Sequence, residues 1–185
     1  MSEQAVLSRG AHLSVMDWRN NLLANQSGVL TSALTYWQGS QKHIRRVQSS
    51  ISVDKFISTS DDADLENAVR TISAEFVDVP FGFVLWHATK PDTQLTWAYK
   101  QSLWLASSAT AEGSWAAVKK GRACFMKLYV CDNVRGIPCS GEYSREFEII
   151  LEDGMRLERI SEGDTVCIEG NHFPCVRWKA RGRCV

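Results

Sequence analysis

Hydrophobic spacing divides this chain into two textures. Over residues 1–78 apolar positions recur every three or four: Val15, Trp18 and Leu22; then Val29, Leu30, Ala33, Leu34 and Trp37; then Leu65, Ala68, Val69, Ile72 and Phe76. That period matches the turn of an α-helix, so each set predicts an amphipathic helix with one buried stripe. The last set follows "STSDD", which supplies capping residues and early acids. From about Phe81 the pattern shortens to β-rich runs bounded by Gly, Pro, Asn and Asp: "FGFVLWHAT", "SLWLASS", "ACFMKLYVC", "EFEIIL", "MRLERI", "DTVCIE" and "PCVRW". Only "TAEGSWAAVKKG" interrupts them, and it reads as a short helix stopped by Gly121. Helices first, then many strands with one helix among them, predict an α+β fold rather than alternating βαβ units. With no internal repeat and no long linker, the chain reads as one domain over 1–185, a helical section at 1–78 and a β-rich core at 79–185.

Composition narrows the function classes. At 185 residues and 44% hydrophobic content, one cooperative core is well supplied and two full domains are not. Lys plus Arg equal Asp plus Glu at 21 each, so no global field draws the chain to nucleic acid or to an anionic membrane. No apolar run approaches a membrane span, and "MSEQAVLSRGAHLSV" lacks the basic end and apolar core of an export signal. The expected location is cytoplasmic by default, or inside a host cell if the chain is an effector. All six cysteines lie in the last third without a CxxC pair, so no metal is expected, and free thiols are favoured over disulfides. The seven tryptophans are large anchors for a core, and their flat faces can stack on planar ligands.

Candidate chemistry begins in "SREFEIILEDGMRLERI". In a strand, Glu146, Glu148 and Ile150 face one way while Phe147, Ile149 and Leu151 face the other. The two carboxylates would sit about 6–7 Å apart, close enough to perturb each other and to act on neighbouring atoms of one substrate. Alone, such a pair is also what the solvated face of an edge strand looks like. Companions lie upstream. "VLWHATKP" places His87 at a strand end beside Ala88 and Thr89, and "SLWLASSATAE" places Trp104, Ser107 and Ser108 at the end of the next strand. His87 to Ser107 is 20 positions and Ser107 to Glu148 is 41.

This order of histidine strand, serine strand and glutamate strand resembles the ADP-ribosyltransferase superfamily, whose members cleave NAD at the nicotinamide glycosidic bond. "SREFEIILEDGMRLERI" looks like the glutamate strand of the arginine-directed branch, with Glu148 matching the catalytic glutamate and Glu146 the upstream one of the ExE motif. "GEY", ending in Tyr143, looks like the turn whose aromatic recognises target protein. "LWHATKP" is similar to the His-Gly-Thr/Ser strand of the diphtheria-toxin and poly(ADP-ribose) polymerase branch, where the arginine-directed branch has Arg-Gly. Trp104 would then stand where a nicotinamide-stacking tyrosine is expected. The likeness covers roughly residues 80–170. A second frame takes Ser58-Thr59-Ser60, literally Ser-Thr-Ser, as the serine motif, although the same residues read as a helix cap.

The resemblance implies two packed, mainly antiparallel sheets, NAD as substrate, and a protein as the target of modification or binding. Glu148 would stabilise positive charge developing on the ribose while accepting from its 2′-hydroxyl. Glu146 would take a proton from the acceptor, arginine being the first guess. His87, Ala88, Thr89, Trp104 and Ser107 would line the NAD site, His87 bonding a hydroxyl or phosphate and Ser107 steadying Glu148. Each has a structural reading as well: a strand-end hydroxyl, a histidine bonded to backbone, a core tryptophan. The leading expectation is a mono-ADP-ribosyltransferase, NAD hydrolysis being a close variant. Its rival is a non-catalytic interaction domain of the same fold that has lost NAD binding. The oligomeric state is not legible.

Overall fold

The computed structural model describes residues 15–47, 62–89, 104–118, 124–139 and 146–182. Residues 15–24 are helical (α1), followed by α2 at Gly28–Val47, α3 at Ala63–Ala74 and, much later, α4 at Ala111–Val118. Their starts follow from local chemistry. Ser27 Oγ accepts from Leu30 N at 3.2 Å, and Asp62 accepts from Asp64 N and Leu65 N, so donors that a helix start leaves orphaned are satisfied. Asp64 and Glu66 lie in the first turn of α3, where carboxylates oppose the positive end of the helix dipole. Among the described residues no helix is long and apolar enough to cross a membrane.

Among the described residues there are eight strands: β1 Val77–Asp78, β2 Val84–Thr89, β3 Leu105–Ser108, β4 Cys124–Val130, β5 Arg135–Pro138, β6 Glu148–Leu151, β7 Arg156–Ile168 and β8 Asn171–Arg181. Their spatial order is β1-β5-β6-β3-β2-β4-β8-β7. All neighbours are antiparallel except β4 and β8. The class is α+β, as the order of periodicities predicts, and the hydrogen-bond ladder joins the expected two sheets into one continuous run of eight strands. "MRLERI" and "DTVCIE", which read as two strands, belong to the single strand β7, whose pairing shifts between Arg159 and Ser161 and between Ser161 and Asp164. These irregularities absorb the polar "SEGD" segment without ending the strand. β7 and β8 are joined by Glu169 and Gly170, with φ of 50° and 77°, the left-handed pair that a two-residue hairpin requires.

Alternation along the strands sends side chains into three buried clusters. One face buries Leu85, Leu105, Met126, Leu128, Ile149, Leu151 and Trp178, with Val15 of α1 packed among them. The opposite face of β3, β5 and β6 meets α2 and α3: Leu34, Trp37, Leu65, Val69 and Ile72 pack on Trp104, Ile137, Cys139 and Ile150. Farther along that face, Ala111 of α4 joins Ala88, Phe125 and Cys175. Removing large side chains of this kind from water stabilises by about 1.5–3 kcal/mol each, which anchors the helical layer to the sheet.

Candidate functional site

β6 begins at Glu148, and the residue before it, Phe147, has φ of 46°. A left-handed phenylalanine is rare and interrupts strand alternation. Glu146 therefore sits in a helical turn, half-buried, and the single strand face expected to carry both glutamates carries Glu148 alone. Arg19 of α1 stacks over the Phe147 ring at 5.5 Å and donates to the Cys139 carbonyl at 3.0 Å. Burial draws the Arg19 guanidinium below its ordinary pKa, against the opposing influence of Cys139.

Glu148 is 5% exposed. Gln38 of α2 donates through Nε2 to its Oε2 at 2.5 Å. Cys139, beyond the end of β5, donates its backbone N–H to the Glu148 carbonyl at 3.0 Å. Its thiol is pushed well above the usual range, first by burial and then by the adjacent Glu148 carboxylate, to which it is hydrogen-bonded. The glutamate thus lies between a helical amide and a strand-end thiol.

Register fixes which other groups share its face. Ser108 pairs with Glu148, Trp86 with Ser108, Lys127 with Trp86 and Arg177 with Lys127. One row across five strands therefore reads carboxylate, hydroxyl, indole, ammonium, guanidinium. Lys127 Nζ lies 5.3 Å from the Trp86 ring centre and 5.5 Å from that of Tyr129, and Arg177 is held by Asp164 at 2.6 Å. Ser108 Oγ donates to the Glu146 carbonyl at 2.5 Å and accepts from Thr110 N at 3.2 Å. Thr110 Oγ1 in turn accepts from Gly113 N at 2.9 Å at the start of α4.

The residues singled out from sequence fall around this row in different ways. Ser107 pairs with Ile149 and donates to that residue's carbonyl at 2.7 Å, so it lies on the face opposite Glu148. His87, one residue beyond Trp86, pairs with Met126 on that opposite face as well. Its Nδ1 approaches the Ala106 carbonyl at 2.6 Å, and because a carbonyl can only accept, Nδ1 carries the proton. Ala88 is buried in the cluster under α4, and Thr89 closes β2 opposite Cys124. Trp104 is 3% exposed, packed edge-on to Phe76 at 5.2 Å and tilted against Trp37 at 6.1 Å. Tyr143 and Ser58-Thr59-Ser60 lie outside the described residues. Cys131, Cys139, Cys167 and Cys175 are free thiols.

Gln38, Trp86 and Lys127 are candidate-site residues that motif and spacing do not single out, while Ser108 stands out there only beside Ser107. Only Gln38 leaves a signal. It follows Leu34 by four positions, a polar side chain on a stripe of α2 that is otherwise apolar.

Comparison with protein-family models finds no match, and neither does comparison with curated protein sequences. Solved structures do resemble the chain. An ADP-ribosyltransferase from Clostridium botulinum superposes with a TM-score of 0.59 at 11% identity, over 91% of this chain and 94% of that one. An ADP-ribosyltransferase toxin from Paenibacillus larvae gives 0.58 at 7% identity over 91% and 96%. The ADP-ribosylating toxin of a binary enterotoxin of C. perfringens, solved with NADH, gives 0.57 at 11% identity over 92% of this chain and 46% of that one. At such identities the shared property is the fold. The chain has the fold of the ADP-ribosyltransferase superfamily, in agreement with the resemblance read from its motifs.

Proposed function

We propose that this protein is a mono-ADP-ribosyltransferase that cleaves NAD and passes ADP-ribose to a protein side chain. The observation that carries the reading is the pairing of a buried carboxylate, Glu148, with Ser108 on the neighbouring strand, in a fold shared with ADP-ribosylating toxins. In the reaction, the bond between ribose C1′ and the nicotinamide nitrogen breaks and its electron pair leaves with nicotinamide. C1′ then bonds to the acceptor nucleophile, which loses a proton. Positive charge develops on the ribose as the leaving group departs, and a fixed carboxylate in a water-poor site opposes it most effectively. Glu148 has that burial and is already oriented by Gln38. Glu146, outside the strand and half-buried, is the candidate to receive the acceptor's proton, arginine remaining the first acceptor to try. Lys127 supplies a cation on the same face for the dinucleotide's phosphates.

The test is nicotinamide release from NAD by wild type, Glu148→Ala and Glu146→Gln, with and without an arginine-rich acceptor protein. Release abolished by Glu148→Ala, with acceptor labelling lost selectively in Glu146→Gln, is the expected result. No release from wild type sinks the proposal. A second reading, an interaction domain of this fold without NAD binding, draws on one observation: Trp104 is wedged between Trp37 and Phe76 rather than presented to a ligand. Calorimetric titration with NAD separates the two, since the interaction domain gives no heat.

A further inference from the structure

Gln38 is 7% exposed, and its two amide atoms have unequal fates. Nε2 is 2.5 Å from Glu148 Oε2, while Oε1 is buried with no hydrogen-bond partner among the described residues. The orientation is dictated by chemistry: the reverse would aim a carbonyl lone pair at a carboxylate. Buried acceptors in folded proteins are nearly always satisfied, so an orphan beside a buried carboxylate marks a place where a donor belongs. Gln38 also reaches its partner from the helical layer across 110 positions of chain, so the contact is held by tertiary packing of α2 rather than by strand register. Its neighbours on α2, Leu34 and Trp37, are 1% and 3% exposed, which fixes the helix against the sheet. Ser108, although opposite Glu148 in register, directs its hydroxyl to the Glu146 carbonyl.

From this geometry we infer that Gln38 is the positioning residue for Glu148, and that its Oε1, without a partner among the described residues, accepts a hydroxyl of the ribose bound there. The inference rests on the ADP-ribosyl transfer reading for the ligand, but the hold on Glu148 stands by itself. An amide that donates to a carboxylate favours the charged form and fixes its rotamer. Among the described residues, the groups near Glu148 include the Cys139 thiol beyond β5, Arg19 of α1 through the Cys139 carbonyl, the Ser108 hydroxyl on β3, and Glu146 at the preceding turn. None of these replaces the amide from the α2 side.

Two variants test it. Gln38→Met keeps the shape and removes both polar atoms; Gln38→Glu sets a second buried carboxyl against Glu148, so the two share one proton until the pH rises. In the NAD-free protein, carboxyl NMR should show Glu148 of Gln38→Met titrating at higher pH than in wild type. In turnover, Gln38→Met should lower kcat about tenfold to a hundredfold, the loss expected for a misplaced reacting group, and move the acid limb of the profile to higher pH. Gln38→Glu should keep more activity than Gln38→Met while the shared proton lets the new carboxyl donate, and lose it as the pH rises and that proton leaves. Equal Glu148 titration in wild type and Gln38→Met overturns the hold. A shifted titration with unchanged kcat overturns the positioning role. If wild type releases no nicotinamide the functional reading falls, and the NMR titration alone decides whether Gln38 holds the carboxylate.

Discussion

The hydroxyl of Ser108 donates to the carbonyl of Glu146 at 2.5 Å, tying the end of β3 to the turn that leads into β6. Gly113 of α4 lies against the same contact: a Cβ there would come within 2.5 Å of both the Glu146 oxygen and Ser108 Oγ. The first of these is backbone and cannot rotate away. Gly113→Ala would gain about 1 kcal/mol of helix propensity, but crowding a packed site typically costs about 1–3 kcal/mol and displaces backbone. The expected outcome is net destabilisation, with nicotinamide release falling more than the melting temperature explains, because the displaced segment carries Glu146 and Phe147. A variant as stable and as active as wild type would show that α4 does not brace this turn.

Asp62 offers a contrasting control. Its carboxylate accepts from Asp64 N at 3.2 Å and Leu65 N at 3.1 Å, and from the Tyr36 hydroxyl of α2 at 3.3 Å. Asp62→Ala should cost about 1 kcal/mol of stability, the usual value of an N-cap, and leave kcat and KM for NAD unchanged. Chemical denaturation and steady-state kinetics on one preparation check both parts.

These effects turn on single residues, and that is the scale at which the sequence stops being legible. The β-rich runs can be read from alternation and turn residues, since these express burial directly, whereas Glu148 stands out through the resemblance of its strand to an ExE motif. Which of two adjacent serines faces Glu148 cannot, because a register difference of one residue exchanges the faces. The pairing selects Ser108 and sends Ser107 to the other side. Carrying strand alternation through Phe147 groups Glu146 with Glu148, and nothing in the composition of "REFEI" announces the left-handed φ that stops it. Gln38 stands out in sequence only as a polar break in an apolar stripe. Its partner is remote, and only packing of α2 on β6 brings the two together.

Cys175 makes a prediction in alkaline solution. Burial, then the Asp164 carboxylate paired opposite it, push its thiol up to about 11 from an ordinary 9.0, with Lys127 pulling the other way. A pKa raised in the folded state favours folding fully below the unfolded value and loses that contribution as pH rises through the folded one. Stability should therefore decline between about pH 9 and 11 in proportion to this thiol. Cys175→Ala introduces a pH-independent cavity penalty but removes the titration. Urea unfolding at a series of pH values should show the gap between wild type and variant narrowing toward pH 11. Parallel curves would mean that Cys175 ionises in the fold as easily as in the unfolded chain.

Lys127 and Trp86 set the last prediction. They pair across β2 and β4 in the row that starts at Glu148, and at about 4.8 Å per strand the ammonium's strand lies roughly 14 Å from the carboxylate's. A dinucleotide with its nicotinamide ribose at Glu148 would carry its phosphates toward that cation. A partly exposed charge near a phosphate contributes about 1 kcal/mol, so Lys127→Gln should raise KM for NAD roughly fivefold to tenfold with little change in kcat. Because the interaction is partly exposed, wild-type KM should climb with salt and the variant's should climb less. Trp86→Phe keeps an aromatic face under the ammonium and should leave both constants close to wild type. Should Lys127→Gln match wild type in KM and in salt dependence, the dinucleotide does not follow the row, and its phosphates must be held from the helical side instead.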